Sequence, residues 1–420
     1  MTILVQFQKN QKFEILKVAS MKIIPRPSYT RQIEAIRHTP EVKIITGVRR
    51  AGKSLLLADI AAKFAQDDNT NIIQIDLSNL EHEHLKEYHN LYDHILANTA
   101  RNADNVLLID EVQECQGFEK TINSLYNTHQ YDIYLTGSNA FLLSSDLATF
   151  FTGRQIEIPV LPFSFSEYAV YFDDEMDKEI LFDRYVIDGG LAGSYLYPTR
   201  QDRAKYIREV FNTILNRDLV QKFKLTEHAV LRHLAEYLLD NVGNLTSANK
   251  TSNQLVQNKI STNHVTAANY LEYLTQAFLF YPVKRYDIRG KKYLATNEKY
   301  FACDVGFRYA LLGQRNMDYG HVYENIVFLE LFRRGYETYI GKLYTLEIDF
   351  IALRGTEKVY IQVSDDISSQ ETLQRELEPL KKIRDSYPKL LIARTRHPEI
   401  DHEGIRIINL VDWLLNAPNP

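Results

Sequence analysis

The 420-residue chain holds only two cysteines, Cys115 and Cys303, far apart in sequence. That scarcity excludes a disulfide framework and a cysteine-rich zinc site, and it fits a reducing compartment, so a cytoplasmic location is expected. Glycine and proline are modest at 17 and 12 residues, which rules out a collagen-like or low-complexity chain. No stretch of about 18 apolar residues occurs, so no membrane-spanning helix is expected. The opening MTILVQFQKNQKFEILKVAS alternates apolar and polar residues like a strand and has no continuous apolar run of the kind a signal peptide needs. Met21 begins a more typical domain opening, MKIIPRPSYTRQIEAI, and residues 1–20 are expected to be an added strand or an upstream-start extension without assigned function. An excess of one charge is also missing. A formal net charge of -5 gives no global attraction to nucleic acid, so any such binding has to come from a local basic patch.

What is present is a balance of 45% apolar and 25% charged residues, that of a globular protein in water. At about 100 to 200 residues per domain, a chain of this length holds several. Residues 41–46, EVKIIT, read as a buried strand; Gly47 to Ser54 spell G-x-x-x-x-G-K-S; and SLLLADIAAKFAQ continues with helical spacing. Glycines let the main chain curl so that its N–H groups point inward, and the helix N-terminus adds partial positive charge. A phosphate-binding loop follows, with Gly47, Arg49, Arg50, Ala51, Gly52, Lys53, Ser54 and Leu55 as the candidate nucleotide contacts. Lys53 is placed to reach the β- and γ-phosphates of ATP, and Ser54 to offer its hydroxyl to Mg²⁺.

The next strand, NVLLIDEVQE (residues 105–114), runs four apolar residues into Asp110 and Glu111. At the carboxyl end of a strand beside the loop, Asp110 suits a magnesium ligand and Glu111 the base that orients and deprotonates water. A further strand, YDIYLTGSNAFLL (residues 131–143), ends in polar residues from which Asn139 is taken as the sensor of the γ-phosphate. With NIIQIDLS (residues 71–78), four strands alternate with helices, predicting a mostly parallel sheet with its ligand at the carboxyl edge.

These residues resemble a family of bacterial and archaeal AAA-type ATPases with an arginine-rich Walker A, here GVRRAGKS, and a C-terminal restriction-endonuclease-like domain. LLIDEVQ, LTGSNAFLL, FTGRQIEIPVLPFSFSEY, DGG (residues 188–190), NYLEYLTQAFLFYPVKRYDIRGKKYL and YENIVFLELFRRGYE complete the resemblance, which covers about residues 21–415. It implies an α/β fold in this order: a P-loop ATPase core (21–165), a helical lid (166–240), a winged helix (241–315) and a degenerate restriction-endonuclease-like domain (316–420). Arg154 stands where related ATPases place an arginine facing a bound or neighbouring nucleotide, which would tie hydrolysis to a homo-oligomer; the other reading pairs it with Glu157 or a loop carboxylate. Arg49 and Arg50 either contact phosphate or brace the loop against the next domain. Arg217 and Asp218, on an amphipathic helix, could sense nucleotide state, but surface charges on a helix are usually only solvated and the two are given no site role.

Polar residues 244–262 lead to the helix NHVTAANYLEYLTQAFL and a hairpin turning at Arg289 and Gly290, the plan of a helix-turn-helix with a wing. Lys284, Arg285, Arg289, Lys291 and Lys292, interleaved with tyrosines, suit a nucleic-acid backbone. The helix itself has no Lys or Arg between Asn263 and Leu279, so base reading by arginine is absent, and a protein partner stands as the alternative to DNA. In the last hundred residues Glu324, Asp349 and Gln362 match the acidic helix residue, the strand-ending Asp and the (E/Q)-x-K of a nuclease centre that binds Mg²⁺, except that Ser364 stands where the lysine belongs. The sequence therefore predicts a Mg²⁺-dependent ATPase joined to a scaffold that no longer cuts. The alternatives are a nucleotide-switched signalling or defence-type interaction protein and an ATP-gated nuclease.

Overall fold

The computed structural model describes residues 22–137, 153–172, 176–314 and 318–416. Residues 1–20 and Asn139 lie outside them.

The first sheet has five strands, β1 (Val42–Thr46), β2 (Thr70–Asp76), β3 (Asp104–Asp110), β4 (Tyr131–Thr136) and β5 (Gln155–Pro159), in the order β2-β3-β4-β1-β5. Every pairing is parallel, as the alternation of apolar strands and helices requires. β1 is buried along its whole length, which is why its residues read as a continuous apolar run rather than an alternating one. Lys43 interrupts that run, and its ammonium is neutralised at 2.6 Å by Asp132 of β4. The loop 47–52 leaves β1 at its carboxyl end and enters the helix Lys53–Phe64.

Helices Phe165–Phe172, Lys178–Asp188, Arg200–Thr213 and His228–Asp240 occupy the span assigned to the lid. Between the last two the backbone winds as a π-helix, Ile214–Gln221. Helices Ala248–Gln257 and His264–Gln276 follow, each capped by its preceding side chain, Ser247 and Asn263.

The second sheet has nine strands. Its members are β6 (Leu245–Thr246), β7 (Phe280–Asp287), β8 (Lys292–Ala302), β9 (Glu337–Leu343), β10 (Leu346–Arg354), β11 (Glu357–Ser364), β12 (Lys389–Ala393), β13 (Ile400–His402) and β14 (Ile405–Asn409). The order is β13-β14-β12-β11-β10-β9-β7-β8-β6. The hairpin expected as a wing is therefore not a free ribbon: β7 pairs in parallel with β9 through Arg285, Tyr286 and Asp287, and the sheet crosses the boundary drawn at residues 315/316 without a break. One buried cluster, running from Tyr29 through Phe211 and Phe301 to Leu414, joins the two sheets. Each sheet has a smaller cluster on its other face. Since each fully buried Leu or Phe contributes about 1.5–3 kcal/mol, the shared cluster is the main tie between the two halves.

Candidate functional site: the nucleotide cavity

The loop after β1 is shaped by two glycines. Gly47 has φ +137°, and a Cβ there would lie 2.1 Å from the Val160 carbonyl oxygen, so no other residue fits. Gly52, at φ +97°, caps the helix that begins at Lys53. Arg50 also takes a left-handed conformation, φ +70°. Lys53 is buried and donates to the carbonyls of Gly47 (2.9 Å) and Val48 (3.2 Å). Burial pulls its ammonium below the usual lysine range, against the attraction of Glu111 and Asp110.

Asp110, at the end of β3, is buried and raised by that burial, while hydrogen bonds from Ser54 and Thr136 act the other way. Thr136, the last residue of β4, accepts the Glu111 N–H at 2.9 Å and donates its hydroxyl to Asp110. Glu111 sits at φ +51°, and its carboxylate accepts a hydrogen bond from the Gln113 amide. Lys53, Ser54, Asp110 and Glu111 line one 630 Å³ cavity with Arg49 and Arg50. Ala51 and Gly52 line it too, and so does Leu55, which is exposed on the first turn of the helix. A hydroxyl and a carboxylate brought together beside a phosphate loop form a donor set of the hard-oxygen type, so Ser54 and Asp110 fit Mg²⁺.

Arg154 is elsewhere. It immediately precedes β5, whose first residue Gln155 is in register with Val42, the start of β1. It therefore lies at the amino edge of the sheet, about 13 Å of strand away from the edge that carries the loop. Its guanidinium rests 5.3 Å over the Tyr126 ring, while Glu157 accepts the Thr46 hydroxyl at 2.6 Å. An arginine facing the nucleotide of its own chain is thus excluded at this position, and so is the Glu157 pair.

The residues that the sequence did not single out are the ties between the cavity and the rest of the chain. Arg26 is buried beneath the loop and donates to the Ala51 carbonyl (3.2 Å), the Leu161 carbonyl (2.9 Å) and Glu167 (2.7 Å). Arg333, from the helix Tyr319–Arg333, donates to the Pro162 carbonyl at 3.0 Å and pairs with Glu330. Asp218 on the π-helix accepts two hydrogen bonds from Arg49, at 2.9 and 2.6 Å, and its neighbour Arg217 pairs with Glu114 at 2.8 Å. Of the two readings left open for Arg49, bracing against the next segment is the contact present. The DGG stretch is a joint: a Cβ on Gly189 would lie 1.9 Å from Asp304, one on Gly190 2.3 Å from the Phe163 carbonyl oxygen, and Asp304 accepts the Gly190 and Gly306 N–H groups at 2.6 Å each.

In the second sheet, Asp349 of β10 and Gln362 of β11 are neighbours, the Gln362 amide oxygen lying 3.4 Å from the Asp349 N–H. Glu324, on the helix Tyr319–Arg333, is near enough to Asp349 to act on it electrostatically. The centre holds a lysine after all, Lys299 of β8, whose ammonium is 2.8 Å from Glu324 and 2.9 Å from Glu347. Those carboxylates and Asp349 outweigh burial and raise its pKa, so it stays a cation. Asp349 accepts the Val363 N–H at 2.8 Å, and burial beside Glu324 raises it well above the carboxylate range. Among the described residues no group of three or more His, Cys, Asp or Glu is placed to hold a metal ion, and the Lys299 ammonium already engages Glu324 and Glu347. The donor set does not fit Mg²⁺.

On the hairpin, Arg285 and Lys292 share a face with Asp287, whereas Tyr286 and Tyr293 pack with Tyr339 on the other. Arg289 lies at the turn, 5.0 Å over Tyr344, and Lys284, Lys291 and Lys292 are exposed.

Residues 39–169 match the model of an AAA domain, and residues 179–318 that of a domain of unknown function, DUF8612. A Haemophilus influenzae protein recorded as uncharacterized is 36% identical over 404 residues, spanning 94% of this chain and all of its own length. The chain belongs to that protein's family. A second relative, uncharacterized protein MJ1544 of Methanocaldococcus jannaschii, is 27% identical over 84% of this chain and 80% of its own. The first 170 residues thus contain an AAA-type P-loop ATPase domain. Solved structures align loosely. The Aeropyrum pernix Orc1 protein in complex with DNA aligns at 11% identity and a TM-score of 0.31, over 71% of this chain and 95% of that one. AMPPCP-bound DnaA from Aquifex aeolicus aligns at 15% and 0.29, over 60% and 89%. Likenesses at that level carry no argument. No described helix is long and apolar enough to cross a membrane.

Proposed function

We propose that the chain binds ATP with Mg²⁺, hydrolyses it, and passes its nucleotide state to a winged-helix and restriction-endonuclease-like module that does not itself cut. The observation that carries this is the convergence of Lys53, Ser54, Asp110 and Glu111 on one cavity at the carboxyl edge of the first sheet. Lys53 and the loop amides hold the β- and γ-phosphates, exchanging the Gly47 and Val48 carbonyls for phosphate oxygens. Ser54 and Asp110 would hold Mg²⁺, which would supply positive charge beside the phosphates. Glu111, oriented by Gln113, takes the proton of the water whose oxygen attacks the γ-phosphorus as the bond to ADP breaks. Asn139 reads the γ-phosphate in this scheme. The partition into core, lid, winged helix and nuclease-like domain belongs to the same proposal, as does a cytoplasmic location.

The nuclease-like centre is taken as a scaffold because Ser364 stands where the lysine of the (E/Q)-x-K pattern belongs, and Lys299 is tied to Glu324 and Glu347. For the module's partner, the exposed Lys284, Arg289, Lys291 and Lys292 favour DNA backbone contact. A specific observation favours the second reading, a nucleotide-switched protein-interaction ATPase: the 650 Å³ groove beside the helix His264–Gln276 has Glu272 and Glu298 on its walls and no Lys or Arg.

One experiment separates these. ATP turnover by the purified chain, with and without duplex DNA, is expected to fall at least about a hundredfold in Lys53→Ala and Glu111→Gln. DNA stimulation is expected in wild type and not in the Lys284/Arg285/Arg289→Ala variant. Turnover indifferent to DNA would leave the interaction protein, and turnover unaffected by Lys53→Ala would remove the ATPase.

A further inference from the structure

Arg49 lines the cavity and, among the described residues, is gripped along one edge by Asp218. Its Nε donates to Asp218 Oδ2 and its Nη2 to Asp218 Oδ1, so the carboxylate takes the Nε/Nη2 side of the guanidinium fork. An arginine carries five N–H donors in a rigid plane, and a partner on one edge leaves the Nη1 edge available while fixing where it points. The pair is sheltered, with the arginine side chain 19% and the aspartate 8% exposed. The Asp218 bonds raise the Arg49 pKa above its ordinary value, so the cation is permanent. Glu111 and Lys53 are near enough to act on it electrostatically, which puts Arg49 beside the groups proposed to handle the terminal phosphate.

The carboxylate comes from an unusual piece of backbone. Residues 214–221 form a π-helix, and π-helical turns are rare and cluster at functional positions. The wider turn sets Arg217 and Asp218 on the cavity side together, one on Glu114 and one on Arg49. Two successive charged residues of one segment thus reach the two motif-bearing segments of the ATPase core. Meanwhile Arg154 sits at the opposite edge of the sheet from this chain's own cavity, so within one chain it is not available to the transferring group.

We propose that Arg49 is the arginine that stabilises the transferring phosphoryl group from within the same chain, and that Asp218 is its positioning residue. This rests on the ATPase reading above. Asp218 does not touch the nucleotide; it holds the guanidinium in the orientation the reaction needs. Hydrolysis therefore depends on the π-helical segment being docked against the loop, and a partner that pulls that segment away switches turnover off without emptying the cavity.

The test is the split between kcat and KM in full-length protein, with binding of a non-hydrolysable ATP analogue measured alongside. Asp218→Asn is expected to lower kcat by about a hundredfold while KM and analogue affinity change less than about threefold. Asp218→Glu, which keeps the carboxylate, is expected to recover part of the loss and serves if the asparagine variant does not fold. Arg49→Lys should match Asp218→Asn, and the double variant should be no slower than Arg49→Lys alone, because Asp218 acts through Arg49. A loss confined to KM, an unchanged kcat, or penalties that multiply in the double variant would overturn the proposal. Failure of the wild type to bind the analogue would overturn the ATPase reading itself, and with it this inference.

Discussion

Lys299 and Gly47 were decided by opposite kinds of evidence. Gly47 could be read from its spacing to Lys53, and the structure adds the reason no side chain fits, since a Cβ on it would come within 2.1 Å of the Val160 carbonyl oxygen. Lys299 had no local pattern at all. It comes from a strand 25 residues before Glu324, and only the folding of β8 against the helix brings them to 2.8 Å. A cation so enclosed holds two carboxylates in place, those of Glu324 and Glu347. Lys299→Met leaves Glu324 and Glu347 without their counter-charge and is expected to cost about 3–5 kcal/mol in denaturant unfolding. Replacing Glu324 by Leu as well should return part of that loss, since breaking a buried pair costs more than removing both partners. If the centre were a metal site, Mn²⁺ would raise the melting temperature of the nucleotide-free wild type; no rise is expected.

Elements were legible where their periodicity was clean. The four strands around the loop, the helix after it, and the hairpin turning at Arg289 and Gly290 all stand where the pattern put them, within a few residues. The fifth strand, β5, has no clear signature in the sequence, because five residues with a charged middle carry little periodicity. The π-helix was invisible: residues 214–221 have ordinary helical spacing, and the change of winding shows only in the backbone. Arg26 was invisible for another reason, because a lone arginine before a helix is usually solvated. Here it fastens three segments, the stretch from residue 22, the phosphate loop and residues 161–167. Arg26→Ala is expected to lower the melting temperature by several degrees, about 3 kcal/mol of lost stability from the uncompensated Glu167. Arg26→Met with Glu167→Leu should recover stability but not nucleotide affinity, since the Ala51 carbonyl loses its donor; equal recovery of both would show that the arginine only stabilises the fold.

On the scale of the whole molecule, the sequence divided the chain into successive domains, and the second sheet spans one of the boundaries drawn, that between residues 315 and 316. The strands of residues 280–302 belong to the same sheet as those of residues 337–409, and one apolar cluster runs from Tyr29 to Leu414. Sequence patterns report neighbours along the chain, whereas the β7–β9 ladder joins residues 55 apart, so nothing local announced it. This has a bearing on how movement can travel, because a shift at the nucleotide loop meets Arg26, Glu167 and then the Arg333 that donates to the Pro162 carbonyl, without crossing a flexible linker.

The shared sheet also sets what a proteolytic cut can do. A recognition sequence for a specific protease inserted after Gly313 lies between β8 and β9, so cleavage there severs the covalent connection while leaving the β7–β9 ladder intact. The nicked protein is expected to give two bands in denaturing electrophoresis yet to elute from a sizing column as a single species. Two separate peaks would mean that the halves are independent bodies. Expressed alone, residues 318–416 would present β9 with an unpaired edge of about 20 Å, the kind of exposed margin that leads to aggregation.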